Sequence, residues 1–202
     1  QNLITDSTWA YQRDNYGYRN VRGFPLMQSF GGVPFIDLRV SFNSFIPKSL
    51  DKNIAEKLVN FYLDVLTKNP HLHDKVEFNI AYTCYTFDLP ERLKKLKEKG
   101  FNNIEINKIK KSLRDLTNKI INYNTGIWRT DLQKIKELFP RRQIIEKSKL
   151  KEEEKIFFLL EDCRRYGTLP FAGLARVGFI AVEFLNSLVQ QKIISSEDKQ
   201  KL

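Results

Sequence analysis

The chain has 202 residues, of which 42% are hydrophobic and 12% aromatic, a composition typical of a folded domain with a core and not of a disordered chain. It has no run of about 18 apolar residues and no charged-then-apolar leader, so we expect neither a membrane span nor a signal peptide. Its net charge of +10 raises the question of an anionic partner.

The first ninety residues predict a small sheet and one helix. After an aromatic, turn-rich start, Leu26–Phe30 and Pro34–Phe45 predict two strands joined by a Gly31-Gly32 turn. The spacing of apolar residues in Ser49–Asn69 predicts an amphipathic helix. Alternation of apolar and polar residues in Val76–Phe87 predicts another strand.

The remainder predicts helices, with no internal repeat. We expect them at about 90–99, 104–123, 130–147, 151–165 and 169–191, as indicated by apolar spacing. Pro140 should kink or divide the third of these. Ser195, followed by Asp198, resembles a capping box that begins a further helix at the end of the chain.

These elements predict an α+β fold, with a small antiparallel sheet near the N-terminus followed by a helical majority. We expect one domain over residues 1–202, with a sheet-containing part at about 1–90 and a helical part at about 91–202. Because the chain opens without a methionine and closes inside a predicted helix, we expect it to be part of a larger multidomain protein.

The excess positive charge lies almost entirely in residues 91–155, which contain 19 basic and 10 acidic side chains. These charges recur at helical spacing, and a solvated helical face explains them at least as well as a phosphate-binding track. A platform that stacks single-stranded bases needs more aromatic rings than this segment holds. We expect no nucleic-acid partner; the alternative is a basic RNA-binding module.

The cysteines and histidines predict no metal site. Cys84 and Cys163 lie far apart, as expected of reduced thiols in a cytoplasmic protein. His71 and His73 have no companion ligands at metal-binding spacing. The chain also lacks Gly-x-Gly-x-x-Gly, the phosphate-binding P-loop, the Gly-x-Ser-x-Gly elbow and His-Glu-x-x-His, so we expect it to catalyse no reaction alone.

One face of the predicted Pro34–Phe45 strand carries unlike hydrogen-bonding groups. Arginine can bind a carboxylate, aspartate an ammonium, and asparagine or serine an amide, which are the groups of a polar amino acid. A solvent-facing surface is the alternative. Glu77, on the predicted Val76–Phe87 strand, would line the same cavity if the strands are neighbours. The residues of this face are Asp37, Arg39, Ser41 and Asn43.

Arg176 is the one charged residue in the apolar segment from Leu169 to Val182. A buried guanidinium needs a partner, so we expect an internal ion pair with Glu161, Asp162 or Glu183, or an anionic ligand. The preceding Tyr166-Gly167-Thr168 predicts a helix junction, with Gly167 as C-cap and Thr168 as N-cap. In the alternative interpretation, Tyr166 and Thr168 lie at a pocket mouth over Arg176.

Four segments resemble the family of phosphoenolpyruvate synthase and pyruvate phosphate dikinase, and within it the L-glutamine kinases of capsular phosphoramidate biosynthesis. The segments are Leu3–Gln12, Pro25–Asn43, Asn69–Phe78 and Tyr166–Phe179. The resemblance implies a central substrate-binding domain between an ATP-grasp domain and a mobile phosphohistidine domain. It also implies that ATP and Mg²⁺ phosphorylate the histidine, releasing AMP and phosphate, and that the phosphoryl group passes to the side-chain amide of L-glutamine.

No binding residue is carried over from that family; the candidates rest on the chemistry above. The predicted substrate-binding residues are Asp37, Arg39, Ser41, Asn43, Glu77, Tyr166, Thr168 and Arg176. The fragment is expected to hold no catalytic residue, cofactor or metal and to be inactive alone. Alternatives are an acceptor such as pyruvate and a ligand-free scaffold between the other two domains.

Overall fold

A computed structural model describes residues 8–201 of the protein, so Leu3 to Ser7 of the first resembling segment lie outside the described residues. A short α-helix and a β-hairpin precede a helical majority, which confirms the predicted α+β class. The β-strands are β1 (Met27–Phe30) and β2 (Val33–Ile36). The α-helices along the described residues are α1 (Ala10–Asn15), α2 (Leu38–Asn43), α3 (Lys52–Lys68), α4 (Leu89–Arg92), α5 (Asn103–Ile121), α6 (Trp128–Lys147), α7 (Glu152–Asp162), α8 (Leu169–Gln190) and α9 (Ser196–Lys201).

The β-hairpin forms where two glycines permit a tight turn. Gly31 and Gly32 have φ angles of 57° and 82°, which residues other than glycine rarely adopt. Phe30 pairs with Val33 across the turn. The strands are antiparallel and almost wholly exposed. The hairpin therefore projects from the protein and contributes little to the core.

The predicted strand over Pro34–Phe45 is wrong beyond Ile36. The Oδ1 of Asp37 accepts a hydrogen bond from the backbone N–H of Val40 at 3.0 Å, which makes Asp37 the N-cap of α2. Phe42 is then fully buried on the inner side of that helix. Alternation over a few residues fits one helical turn as well as a strand, and the cap decides between them.

The predicted strand over Val76–Phe87 is also wrong. Val76–Ile80 forms a π-helical turn, and an irregular segment follows that is buried without a neighbouring strand among the described residues. Side-chain hydroxyls satisfy its backbone: Tyr62 accepts from the N–H of Tyr82 at 3.0 Å, and Thr117 from that of Tyr85 at 2.8 Å. These bonds replace a sheet ladder, since buried backbone donors need acceptors.

Helix α3 supplies seven buried apolar side chains to the core and α5 supplies four, on the faces that their spacing predicts. Asp51 caps α3, and a capping box of Asn102 and Glu105 begins α5. Tyr62 and Tyr82 lie at the centre with ring centroids 5.9 Å apart. The other fully buried large side chains are Tyr16, Tyr18, Phe42, Ile46, Leu58, Ile80, Leu89, Leu93, Leu96 and Ile109.

The segment Glu152–Gln190 is one continuous helical stretch, so the predicted junction at Tyr166–Thr168 is wrong. Cys163–Thr168 is a π-helical turn, Thr168 has helical backbone angles, and its side chain makes no capping hydrogen bond. A wider π turn accommodates Pro170, whose ring would otherwise clash with the carbonyl of Tyr166. Likewise, Pro140 does not divide α6.

An 18-residue window in this stretch has a mean hydropathy of 1.5, and 22% of the window is buried. By length and composition alone the stretch could cross a membrane. Core helices of globular proteins pass the same test, and one face of α8 packs against α1, α5 and α6.

Polar contacts with two buried carboxylates help to fix helices α6 and α7. The hydroxyl of Tyr16 donates to Asp131 Oδ2 at 2.7 Å, and Arg141 binds the carboxylate of Asp162 through two hydrogen bonds of 2.9 and 2.8 Å. Asp131 and Asp162 are the buried residues of these two helices. Burial raises the pKa of both Asp131 and Tyr16, and the hydrogen bond between them partly offsets the shift of the carboxyl.

Gly173→Ala should destabilise the protein, because a methyl group there would collide with Asp131 Oδ2 and the Tyr16 ring. We expect a loss of about 1–3 kcal/mol in the free energy of unfolding, measured by urea denaturation. Gly178→Ala, in the same helix with nothing within 4 Å of the added methyl, should instead stabilise by up to about 1 kcal/mol. Equal effects of the two substitutions would contradict this account of α8 packing.

Candidate functional site

Three of the predicted ligand residues lie around one cavity although they do not share a strand. Asp37, Arg39 and Asn43, at the start and along α2, line a cavity of about 460 Å³ together with Arg19 and Asn20. Val21, Phe24 and Val40 form its apolar wall. Ser41 does not line this cavity; its backbone carbonyl accepts a hydrogen bond from Ser44. We call this the α2 cavity.

Hydrogen bonds fix the positions of the two arginines in the α2 cavity. Nη1 of Arg19 donates to Asn43 Oδ1 at 3.1 Å, and Nη1 of Arg39 donates to Asn60 Oδ1 at 3.0 Å. The Asn43 amide donates in turn to the Arg39 carbonyl at 2.9 Å. Each guanidinium therefore retains N–H groups for a ligand, because each uses one nitrogen in these contacts.

Asp37 has one carboxylate oxygen to spare. Its Oδ1 caps α2, whereas its Oδ2 accepts no hydrogen bond within the described part of the chain. The cavity thus combines a carboxylate oxygen, two guanidinium groups and two amides. These groups can bind an ammonium, a carboxylate and an amide respectively, which suits a polar amino acid.

Arg176 and Glu77 form an internal ion pair instead of lining the α2 cavity. Nη1 of Arg176 donates to Glu77 Oε1, and its Nη2 donates to the carbonyl of Thr83 at 3.1 Å. Arg13 of α1 approaches the same carboxylate, with Nη2 3.4 Å from Oε2. Tyr18 lies beside both guanidinium groups, each 5.5 Å from its ring centroid. We call Arg13, Glu77 and Arg176 the buried charge cluster.

The predicted class of partner for Arg176 is confirmed, but the predicted partners are wrong. Glu77 is 99 residues away along the chain, whereas Glu161, Asp162 and Glu183 contact other arginines. The Arg176 side chain is only 2% exposed, and it faces Glu77 and Thr83. A ligand-binding role for Arg176 or Glu77 would require this internal pair to open.

The buried charge cluster holds two cations and one anion. Burial lowers the pKa of Arg13, and the charge of Arg176 lowers it further, while Glu77 acts in the opposite direction. Burial also disfavours the charged form of Arg176, but Tyr18, Glu77 and Cys84 outweigh that effect and its pKa is raised. Two guanidinium nitrogens of Arg13, Nε and Nη1, are buried without a hydrogen-bond partner in residues 8–201.

Tyr166 and Thr168 do not form a pocket mouth over Arg176. Tyr166 precedes Arg176 by ten positions in continuous helix, which separates them by about 15 Å along the axis. The Tyr166 ring instead packs under the Arg141 guanidinium, 4.1 Å from its centroid. The helix continues through Thr168, whose side chain makes no capping hydrogen bond.

A larger cavity, which the sequence did not predict, lies between the π-helical turn of Val76–Ile80 and helices α4, α8 and α9. Its volume is about 750 Å³, and its polar lining includes Asn79, Asp88, Arg92, Glu183 and Asn186. These residues come from three separate segments. No sequence pattern brings them together, because only tertiary packing places α4 against the second half of α8.

Within residues 8–201, no group of three or more His, Cys, Asp or Glu side chains could hold a metal ion. No known family model, curated protein or solved structure matches the chain. Its function must therefore be inferred from the residues and cavities themselves.

Glu77→Gln should destabilise the protein more than Arg176→Met. The first change leaves two buried guanidinium groups facing a neutral amide, at a cost on the order of 3–5 kcal/mol in the free energy of unfolding. The second leaves Glu77 beside Arg13 and the Thr83 carbonyl bonded to the Tyr18 hydroxyl, so we expect a loss of only about 1–3 kcal/mol, from the lost hydrogen bonds of Arg176. Urea denaturation of both variants gives the order, and the reverse order would refute a shared carboxylate.

Only one of the two cysteines should react quickly with a thiol reagent in the native protein. Burial raises the pKa of Cys84 to about 11, whereas Cys163 is exposed. At pH 8, only about one Cys84 in a thousand is then the nucleophilic thiolate. A Cys163→Ser variant should show no fast reaction with a chromogenic disulfide until it is unfolded. One rapid equivalent from that variant would contradict the buried position of Cys84.

Proposed function

We propose that this chain is the acceptor-binding domain of an ATP-dependent phosphotransferase and that it binds L-glutamine in the α2 cavity. The observation that carries the proposal is the set of complementary groups around that cavity: Arg19, Asp37, Arg39 and Asn43. The resemblance of Pro25–Asn43 to L-glutamine kinases includes three of these four residues.

Each part of L-glutamine has a partner of suitable chemistry in this proposal. Arg39, with Arg19 beside it, binds the α-carboxylate, because a guanidinium can donate two parallel hydrogen bonds to it. The free Oδ2 of Asp37 accepts from the α-ammonium. Asn20 offers an amide to the side chain of the ligand, and Phe24 and Val40 contact its methylene groups.

The contribution to catalysis is positioning. The proposed reaction brings the side-chain amide of glutamine to a phosphohistidine on another domain, and fixing that geometry can supply much of the rate enhancement. ATP and Mg²⁺ act in this scheme at an ATP-grasp domain, so the present chain holds neither. The proposal places the protein in the cytoplasm, with no membrane or nucleic-acid partner.

A ligand-free scaffold between the two other domains is the second candidate, and one observation favours it. The outer surface of α7 and of the first turn of α8 is apolar: Phe157, Leu160 and Phe171 are each at least 60% exposed. Exposed apolar patches commonly mark contacts with other proteins or domains. A scaffold needs this surface but needs no ligand in the α2 cavity.

Titration of the chain with L-glutamine by calorimetry separates the two candidates. We expect saturable heat from the wild type and a roughly tenfold to hundredfold larger dissociation constant for Arg39→Ala. This factor corresponds to the loss of about 1.5–3 kcal/mol that a hydrogen bond to a charged group contributes to binding. Arg142→Ala is the matched control, because Arg142 is also an exposed helical arginine with one side-chain partner, Glu146. The control should bind as the wild type does.

Absence of saturable heat in the wild type would support the scaffold. Equal affinities for pyruvate and L-glutamine would leave an acceptor site but refute its assignment to glutamine. Unchanged glutamine affinity in Arg39→Ala would refute the assignment of the glutamine site to the α2 cavity.

A further inference from the structure

We infer that the cavity between α4 and the second half of α8 is a separate binding site for a zwitterionic ligand of amino-acid size. We call it the α4–α8 cavity. The charged residues that would contact the ligand are Asp88, Arg92 and Glu183. It shares no lining residue with the α2 cavity. The inference therefore stands independently of the proposed function.

Arg92 lies in this cavity without a direct hydrogen bond. Its Nη1 is 3.8 Å from Asp88 Oδ2 and 3.8 Å from Glu183 Oε2, which exceeds the range of an N–H···O bond. The side chain is 29% exposed and packs beside the Tyr82 ring, 5.5 Å from its centroid. Its N–H groups are thus free, within the described residues, to bind an acceptor that enters the cavity.

Asp88 is the complementary unsatisfied group. Its side chain is only 7% exposed, and its Oδ1 is buried with no hydrogen-bond partner in the part of the chain that the structure describes. Its Oδ2 faces Arg92 across the 3.8 Å gap. A buried carboxylate oxygen without a donor is costly, so a donor supplied by a ligand would be favourable.

Glu183 adds a second carboxylate at the same distance from Arg92 Nη1. Its Oε1 accepts from the Asn186 amide at 3.2 Å, and Lys199 of α9 donates to the Oδ1 of the same Asn186. Lys199, which also lines the cavity, is therefore held by an uncharged partner. Two carboxylates of the cavity lining thus lie near one guanidinium nitrogen.

This charge order selects against ions of a single sign. A simple anion that approached Arg92 would also meet Asp88 and Glu183, and a simple cation that approached the carboxylates would meet Arg92. A molecule with an ammonium close to a carboxylate can contact all three groups with favourable sign. Free amino acids have this arrangement.

Size and lining agree with such a ligand. The volume of about 750 Å³ is ample for an amino acid with a side chain, and ligand sites generally combine apolar walls with few polar groups. Phe78, Val182 and Val189 form apolar walls, while Asn79 and Gln190 offer amides to a polar side chain. The mixed lining suits a polar or an apolar amino acid equally.

Binding to the full chain can be followed by amide chemical shifts in two-dimensional NMR, with glycine as the probe and ethylammonium and propionate as single-charge controls. We expect saturable shifts at residues 78–79 and 183–190 with glycine, and at least about tenfold weaker binding of either control. Shifts confined to residues 19–43, or equal binding of the three probes, would overturn the inference. This measurement needs no variant and so does not depend on the folding of one.

Substitution provides a second test. Glu183→Gln and Arg92→Met should each weaken glycine binding at residues 183–190 by at least about tenfold, whereas Arg39→Ala, in the α2 cavity, should leave it unchanged. Unchanged glycine affinity in both cavity variants would overturn the inference. L-glutamine shifts at residues 19–43 that are lost only in Arg39→Ala would support the α2 proposal, and L-glutamine shifts confined to residues 78–79 and 183–190 would move the acceptor to the α4–α8 cavity, so the two proposals can fail separately.

Discussion

The shared carboxylate of Glu77 is the constraint on which the rest of the structure depends. It accepts from Arg13 of α1 and Arg176 of α8, and the second nitrogen of Arg176 reaches the carbonyl of Thr83. These contacts join α1, the π-helical turn of Val76–Ile80 and α8. Buried charges without partners are expensive, so the three segments must come together at one place and in one register.

The same constraint explains why residues 76–88 do not form a strand. A strand would direct Glu77 and Asn79 to the same side, because side chains two positions apart share a face. In the π-helical turn of Val76–Ile80, the Glu77 side chain instead lies in the buried charge cluster, while Phe78 and Asn79 line the α4–α8 cavity. The irregular backbone thus serves an internal ion pair and a cavity wall at once, and hydroxyls of Tyr62 and Thr117 satisfy its N–H groups.

Local patterns predicted the elements whose stability is local. The spacing of apolar residues in α3, the two glycines of the hairpin turn and the Ser195–Asp198 capping box each depend on neighbours within a few positions, and all three form as expected. Alternation of side chains failed at α2 and at Val76–Ile80, because a cap at Asp37 and a distant ion pair outweigh it.

Local sequence patterns could not predict the contacts between distant segments. The Glu77 partner of Arg176 lies 99 positions away, and the α4–α8 cavity combines residues from segments that no motif connects. By contrast, three members of the predicted polar group at 37–43 lie together although the strand assigned to them was wrong. Asp37, Arg39 and Asn43 still line one cavity, because an N-cap and two positions on one short helix remain close together.

The placement of charge matters more in this protein than its amount. Most of the +10 net charge comes from residues 91–155, where α5 buries Ile109, Leu113 and Ile120 and exposes lysines such as Lys108 and Lys111 to water. Exposed charges of this kind contribute little to stability because solvent screens them. Arg13 and Arg176 add only two charges, but they lie where screening is weak and a single carboxylate holds them. A composition that suggests an anionic partner therefore conceals the two arginines whose burial determines how the chain folds.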